Sequence, residues 1–425
     1  MKNKAHKAYP KLTNRFIKAV AVLLLAGSSI IAQAAPADLS RLVVVGDSLM
    51  AGFQNNSLRG SQQTHGIAAV IARQAGVPLA LPLIGEPGIP NALQLIDVGP
   101  PLIIAPLPGM SAGRTDFFTQ PMNLSVPGHS VQDALTLRPS YPPQNLTDLI
   151  LGFPGLLGGI SKSQVEWAEA LQPTTVIVWL GPNDTLGAAL DADASLVTPE
   201  ADFATAYAEL MQRLAATGAS LVVANIPDVT TIPYLTSAED LAAMINLPLA
   251  AIGPVLGIGA GDYITPNAFA KIQEIFTGVS AGPLPANVVL DASEVAIIQA
   301  ATKNFNAIIA AQAKAKGAAL VDTHALLNGW KTKGLVLNGQ RLTTDFLGGI
   351  FSLDGFHPTE TGAAATANVF IRALNKQFAA GIPPVNVRAV AKQDPLVLPH
   401  VGHPASALRK AGKEAAKNLP ESLRR

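Results

Sequence analysis

Four short, predominantly apolar runs punctuate the chain, each stopping at a polar or turn-forming residue. They are Leu42-Val43-Val44-Val45 before Gly46, Val176-Ile177-Val178-Trp179-Leu180 before Gly181, Leu221-Val222-Val223-Ala224-Asn225-Ile226 before Pro227, and the weaker Ala318-Ala319-Leu320-Val321 before Asp322. Short runs rich in β-branched side chains, without polar alternation, describe strands covered on both faces, as in a parallel sheet. Helical periodicity fills the intervals, over residues 62–74, 131–137, 201–217, 292–316 and 361–378. Strands alternating with helices predict a doubly wound α/β sheet with right-handed crossovers. Sites in such sheets form beyond the carboxyl ends of the strands, so the residues after each apolar run are the ones to inspect.

With 425 residues, 49% hydrophobic and 14% charged, the chain can bury the core of one large α/β domain or two small ones. Its mean hydropathy of +0.31 excludes a mostly disordered chain. A net charge of +1 supplies no field toward nucleic acid, and the absence of cysteine removes disulfides, thiolate metal sites and cysteine nucleophiles. The seven histidines form no metal-binding tract. Lys2, Lys4, Lys7, Lys11, Arg15 and Lys18 precede an apolar stretch at 19–31, and Ala32-Gln33-Ala34 then offers a small-x-small cleavage site. Residues 1–34 therefore read as a cleaved secretory signal, the stretch falling short of the roughly 20 residues a bilayer span needs. Export to the periplasm or beyond is the expectation.

The main domain is predicted over residues 35–382. Two apolar, proline- and glycine-rich insertions, about 79–125 and 233–285, interrupt its alternation. Insertions this long serve as lids or caps, or as structural padding. Beyond Pro383-Pro384 apolar periodicity stops and Arg409, Lys410, Lys413, Lys417, Arg424 and Arg425 accumulate. Residues 383–425 are predicted to be a disordered basic tail, solvated, with an anionic envelope surface as a conceivable peripheral contact.

The first run delivers Gly46-Asp47-Ser48-Leu49 into a helix start. A serine there sits at the sheet's carboxyl edge on the positive end of a helix, where developing negative charge is favoured. The same residues also make an ordinary turn and N-cap. Gly181-Pro182-Asn183-Asp184 could aim the Asn183 amide at a carbonyl oxygen as it becomes negative, or simply turn the chain. Gly128, in Asn123-Leu124-Ser125-Val126-Pro127-Gly128, lets backbone approach a ligand and offers its N–H, and taken singly also reads as a turn. In Asp354-Gly355-Phe356-His357-Pro358-Thr359 an imidazole and the carboxylate that could orient it stand three residues apart. His65, His129 and His324 compete with His357 as base, but none has an aspartate three residues before it.

These four elements, in this order, resemble the SGNH (GDSL-type) hydrolase superfamily over residues 42–378. Ile226-Pro227-Asp228-Val229 and Asn304 are similar to smaller family features, whereas Pro127 and His129 around Gly128 depart from the family pattern. The resemblance implies a flavodoxin-like three-layer α/β/α sandwich with about five parallel strands. It implies Ser48 as nucleophile, His357 as base, Asp354 as its orienting acid, and the Ser48 and Gly128 amides with the Asn183 side chain as oxyanion hole. No cofactor is called for. The expected function is an exported serine carboxylic-ester hydrolase. Its substrate is a small-molecule or lipid ester, with fatty-acyl esters favoured because the apolar insertions would line the crevice. An O-acyltransferase using the same residues and a non-catalytic envelope-binding protein are the alternatives.

Overall fold

A computed structural model describes Met1 and residues 37–98, 102–111 and 113–397. The expected secretory signal and residues 398–425 of the basic tail lie outside the described residues. The four apolar runs become four parallel strands, β1 (Leu42–Gly46), β2 (Thr175–Trp179), β3 (Ser220–Ala224) and β4 (Ala319–Val321), side by side in that order.

The expected fifth strand is present only in part. Residues 122–126 run parallel along the free edge of β1: Val44 N–H donates to Met122 O at 2.9 Å, Leu124 N–H to Val44 O at 2.8 Å, and Val126 N–H to Gly46 O at 3.0 Å. A regular parallel ladder would next send the Gly46 N–H to the Leu124 carbonyl. It goes instead to the side-chain oxygen of Gln164, at 3.1 Å.

Nine of the helices among the described residues flank the sheet, border the site or dock on the last long helix. In chain order they are α1 (Ser48–Ala51), α2 (Ile67–Ala75), α3 (Val131–Thr136), α4 (Gln164–Ala170), α5 (Asn183–Leu190), α6 (Glu200–Ala216), α7 (Ala292–Ala315), α8 (Glu360–Phe378) and α9 (Val387–Ala391). Val43, Val45, Val176, Val178, Leu221 and Val223 pack on one side against α3, α4, α6 and α7. Leu42, Val44, Ile177, Trp179, Val222 and Ala224 pack on the other against α2 and α8. Both sheet faces are thereby covered, which is why the strands carry no polar alternation. The result is the expected three-layer α/β/α sandwich.

The insertions are structured units. In the first, Leu93–Asp97 and Ile103–Pro106 pair antiparallel. The buried Arg114 guanidinium donates to the carbonyls of Leu149, Ile150, Phe153 and Thr119, and burial pushes it down to about 10. In the second, helices Ala238–Ile245, Leu249–Leu256 and Ala268–Phe276 enclose a separate small core of Leu241, Ile252, Leu256, Ile264 and Ile272. Among the described residues no single helix is long and apolar enough to cross a membrane.

The start of the expected disordered tail requires correction: residues 383–397 pack on the domain. Val385 exchanges two hydrogen bonds with the Asn368 side chain on α8. Asp394, 4% exposed, accepts from Thr361 N–H at 2.8 Å and from Leu396 N–H at 2.9 Å. Leu396 joins Leu353, next to Asp354, in a small cluster. Two prolines and a lack of periodicity hid a segment whose order comes from docking. Asp394→Ala leaves a first-turn donor of α8 without its acceptor, and a buried unpaired donor costs about 1–3 kcal/mol. The expected result is a lower urea midpoint with an unchanged slope. An unchanged midpoint would show that this contact contributes nothing.

Candidate active site

β1 ends at Gly46 because the chain must turn tightly into α1; a Cβ at Gly46 would lie 2.9 Å from the Met50 Cβ. Asp47 caps α1, its side chain accepting from Leu49 N–H at 2.9 Å. Ser48 is thus the first residue of a helix at the sheet's carboxyl edge, and its own N–H makes no hydrogen bond among the described residues. Ser48 lines a cavity that is partly open to solvent.

On the loop before α8, Asp354 and His357 form a preorganised pair. Asp354 Oδ2 accepts from His357 Nδ1 at 3.1 Å and from Asn56 N–H at 2.7 Å; Oδ1 accepts from the Phe356 and His357 amides at 3.0 and 2.9 Å. Burial alone would push the Asp354 carboxyl up. The His357 charge, its hydrogen bond and the amides outweigh burial and hold Asp354 below the ordinary carboxylate range. With Asp354 on Nδ1, the proton stays there and Nε2 keeps its lone pair. Nε2 is buried and makes no hydrogen bond, and His357 lines the same cavity as Ser48. The imidazole lies against the rings of Phe53 and Phe356, at centroid distances of 4.8 and 4.4 Å.

The Asn56 amide reaches Asp354 because Asn55 and Asn56 both adopt left-handed backbone, a conformation asparagine tolerates better than most residues. Asn55 then clasps the loop: its N–H donates to Ser352 Oγ and its Oδ1 accepts from Leu353 N–H, both at 3.0 Å. Sequence reasoning missed this pair. The Asn-Asn dipeptide was its only signal, and that marks a turn without naming what the turn meets.

Asn183 begins α5, lines the cavity, and donates through Nδ2 to the His129 carbonyl at 2.9 Å. The cavity therefore brings Ser48, Asn183 and His357 together, with Asp354 behind the imidazole. Gly128 lies off the cavity wall, exposed, at φ +85°, its N–H without a partner among the described residues, one residue before the carbonyl that Asn183 holds. None of the competing histidines lines the cavity. His65 is half exposed beside Glu360, His324 Nδ1 lies 3.3 Å from the Ile226 carbonyl, and His129 is buried between Thr147 and Gln164.

Asp47 and Asp184 are buried acids beside this edge. Burial pushes Asp47 up to about 7, with Asp184 adding to the effect, and pushes Asp184 up to about 6. Asp184 spends its oxygens on Thr198 Oγ1 and Val131 N–H, whereas Asp47 Oδ2 has no partner. Among the described residues no three His, Asp or Glu side chains cluster as a metal site requires.

The cavity walls are mostly apolar, built from side chains such as Trp179, Leu186, Ile226, Ile232, Trp330 and Phe351. This corrects the expectation that the insertions line the crevice: no described residue of 79–125 or 233–285 reaches it. The apolar surface comes instead from the segments just after β2, β3 and β4 and from the loop before α8, as placement at the strand ends requires.

The GDSL-like lipase/acylhydrolase family model matches residues 42–370. The chain belongs to this family. It is thus a carboxylic ester hydrolase, as the resemblance implied, acting on a small-molecule ester. None of the curated proteins matches it by sequence. Among solved structures it is similar to the psychrotrophic esterase EstA from Pseudoalteromonas sp., at 14% identity over 80% of this chain and 98% of that one, with a TM-score of 0.34. A phospholipase A1 from Streptomyces albidoflavus matches at 14% identity, 79% and 98% coverage and a TM-score of 0.32. An extracellular lipase from Streptomyces rimosus matches at 15% identity, 79% and 98% coverage and a TM-score of 0.31.

Proposed function

We propose that this hydrolase is exported and cleaves esters of long apolar acyl chains by serine acyl-enzyme chemistry. One observation carries the mechanism: an imidazole that is oriented by Asp354 and has an unpartnered Nε2 belongs to a residue lining the same cavity as Ser48. His357 Nε2 takes the Ser48 proton as Oγ attacks the ester carbonyl. The oxyanion is held by the Ser48 N–H, the Gly128 N–H and the Asn183 amide. The Asn183 NH₂ carries two hydrogens; one is spent on the His129 carbonyl, which aims the other. His357 returns the proton to the departing alcohol, then activates water, which releases the acid and restores Ser48.

The apolar walls support the substrate class, since a fatty-acyl chain would desolvate against them. Export is supported by the basic, apolar and small-x-small order of residues 2–34, and Ala35 is expected as the N-terminal residue of the mature protein.

The test is hydrolysis of p-nitrophenyl esters from acetyl to palmitoyl. Each methylene buried is worth about 0.8 kcal/mol, so kcat/KM should rise roughly fourfold per added methylene until the cavity is full. A maximum at acetyl would overturn the lipid substrate while leaving the nucleophile in place. Diversion of the acyl group to added alcohols, at the expense of acid release, would mark an acyltransferase. No turnover of any ester would favour a binding role.

A further inference from the structure

We propose that Gln164, the first residue of α4 and fully buried, is the positioning residue that sets the oxyanion hole against the nucleophile; the inference rests on the site assignment above. Gln164 joins the two halves of that site through one side chain. Its Oε1 accepts from the N–H of Gly46, two residues before Ser48, at 3.1 Å. Its Nε2 donates to His129 Nδ1 at 2.9 Å. The proton of neutral His129 is therefore on Nε2, which donates to Thr147 Oγ1 at 2.9 Å. His129 in turn follows Gly128, and its carbonyl accepts from Asn183 Nδ2.

The missing rung beside β1 shows what this arrangement does. With Gln164 in place, the Gly46 N–H is diverted from Leu124 O, while Val126 N–H still reaches Gly46 O, so one rung is missing just before the segment turns away toward Gly128. Without it, that N–H is free to bond Leu124 O, and closing this rung would shift the chain that leads into Gly128 against the end of β1. The Gly128 N–H and the carbonyl that aims Asn183 would move together, relative to Ser48. Burial holds His129 low, at about 4, against the opposing charge of Asp133, so the imidazole stays an acceptor for Gln164 at working pH.

The experiment compares Gln164→Met, Gln164→Asn and Gln164→Glu on an ester that the wild type cleaves, each also in an Asn183→Ala background. Methionine keeps the length and loses both bonds. Asparagine reaches only one partner. A buried, protonated glutamate can still accept from Gly46 N–H and donate to His129 Nδ1. Gln164→Met and Gln164→Asn are expected to lose about tenfold or more in kcat with KM within about twofold. That loss stays below the roughly 10²–10³ of removing an oxyanion donor outright. Gln164→Glu should keep kcat within about fivefold. In the Asn183→Ala background the Gln164 effects should shrink, because one of the two donors being positioned is gone and only the Gly128 N–H remains to be displaced.

Equal fold losses in both backgrounds, or Gln164→Asn as active as Gln164→Glu, would overturn the proposal and leave Gln164 a packing residue. The Asn and Glu variants decide the matter even if Gln164→Met does not fold. Asn183→Ala alone separates the two levels: if it loses activity while the Gln164 variants do not, only this inference fails. If Asn183→Ala is fully active, the oxyanion-hole assignment itself fails.

Discussion

Ser48→Ala should be silent on every ester the wild type cleaves, with kcat down by about 10⁶, the scale seen when a serine nucleophile is removed. The magnitude follows from what the geometry has prepared for one hydroxyl. Ser48 begins α1 with an N–H that finds no partner among the described residues, and it lines the same cavity as His357, whose Nε2 is unpartnered. Alanine keeps the helix start, since the cap belongs to Asp47, so folding should be unaffected. Circular dichroism of both proteins, next to burst kinetics and labelling by a phosphonate probe, checks this. A Ser48→Ala protein that still turns over or labels would place the nucleophile elsewhere.

Asp354→Asn should lower kcat by about 10⁴ and also weaken the fold. Losing the orienting carboxylate of a serine–histidine pair has that scale of effect, because the imidazole takes the wrong tautomer. Here the argument is sharper, since each carboxylate oxygen accepts from two donors. Whichever way an amide is turned, its NH₂ faces two N–H groups. On the His357 side it forces the proton from Nδ1 to Nε2 and leaves the Asn56 N–H unpaired. On the other side it leaves the Phe356 and His357 amides unpaired. A buried donor without a partner costs about 1–3 kcal/mol, read as a lower denaturation midpoint.

The pH dependence has a definite sign. The Asp354 carboxyl is held below its ordinary 3.8, so its contribution to stability is full above that pH and is lost as pH falls through the depressed folded value. Stability of Asp354→Asn measured below pH 4 should therefore fall less steeply than that of the wild type. An equal slope would mean that the carboxylate is not stabilised by its partners.

How far such features can be read in advance depends on how local they are. Asp354 and His357 are three residues apart on one loop, and Gly46-Asp47-Ser48 couples a strand end to a helix cap within three residues. The strands were equally legible, because burial on both faces leaves a chain no polar positions. By itself, then, the amino-acid order determined the layered α/β architecture, the strand-end serine and the acid–base pair.

Only the tertiary structure decided what each of these touches. Asn56 reaches Asp354 across 298 residues, and Gln164 reaches Gly46 across 118. The cavity takes its apolar walls from the strand-end segments and not from the apolar insertions, one of which buries its aliphatic side chains in a small core of its own. Residues 383–397, proline-rich and aperiodic in sequence, are ordered by Asp394 and Leu396 docking beside the loop that carries Asp354 and His357. Periodicity and composition record that a side chain is buried or a turn is made. They carry no information on the partner, because a hydrogen bond or contact between distant segments is specified by packing of the whole sandwich.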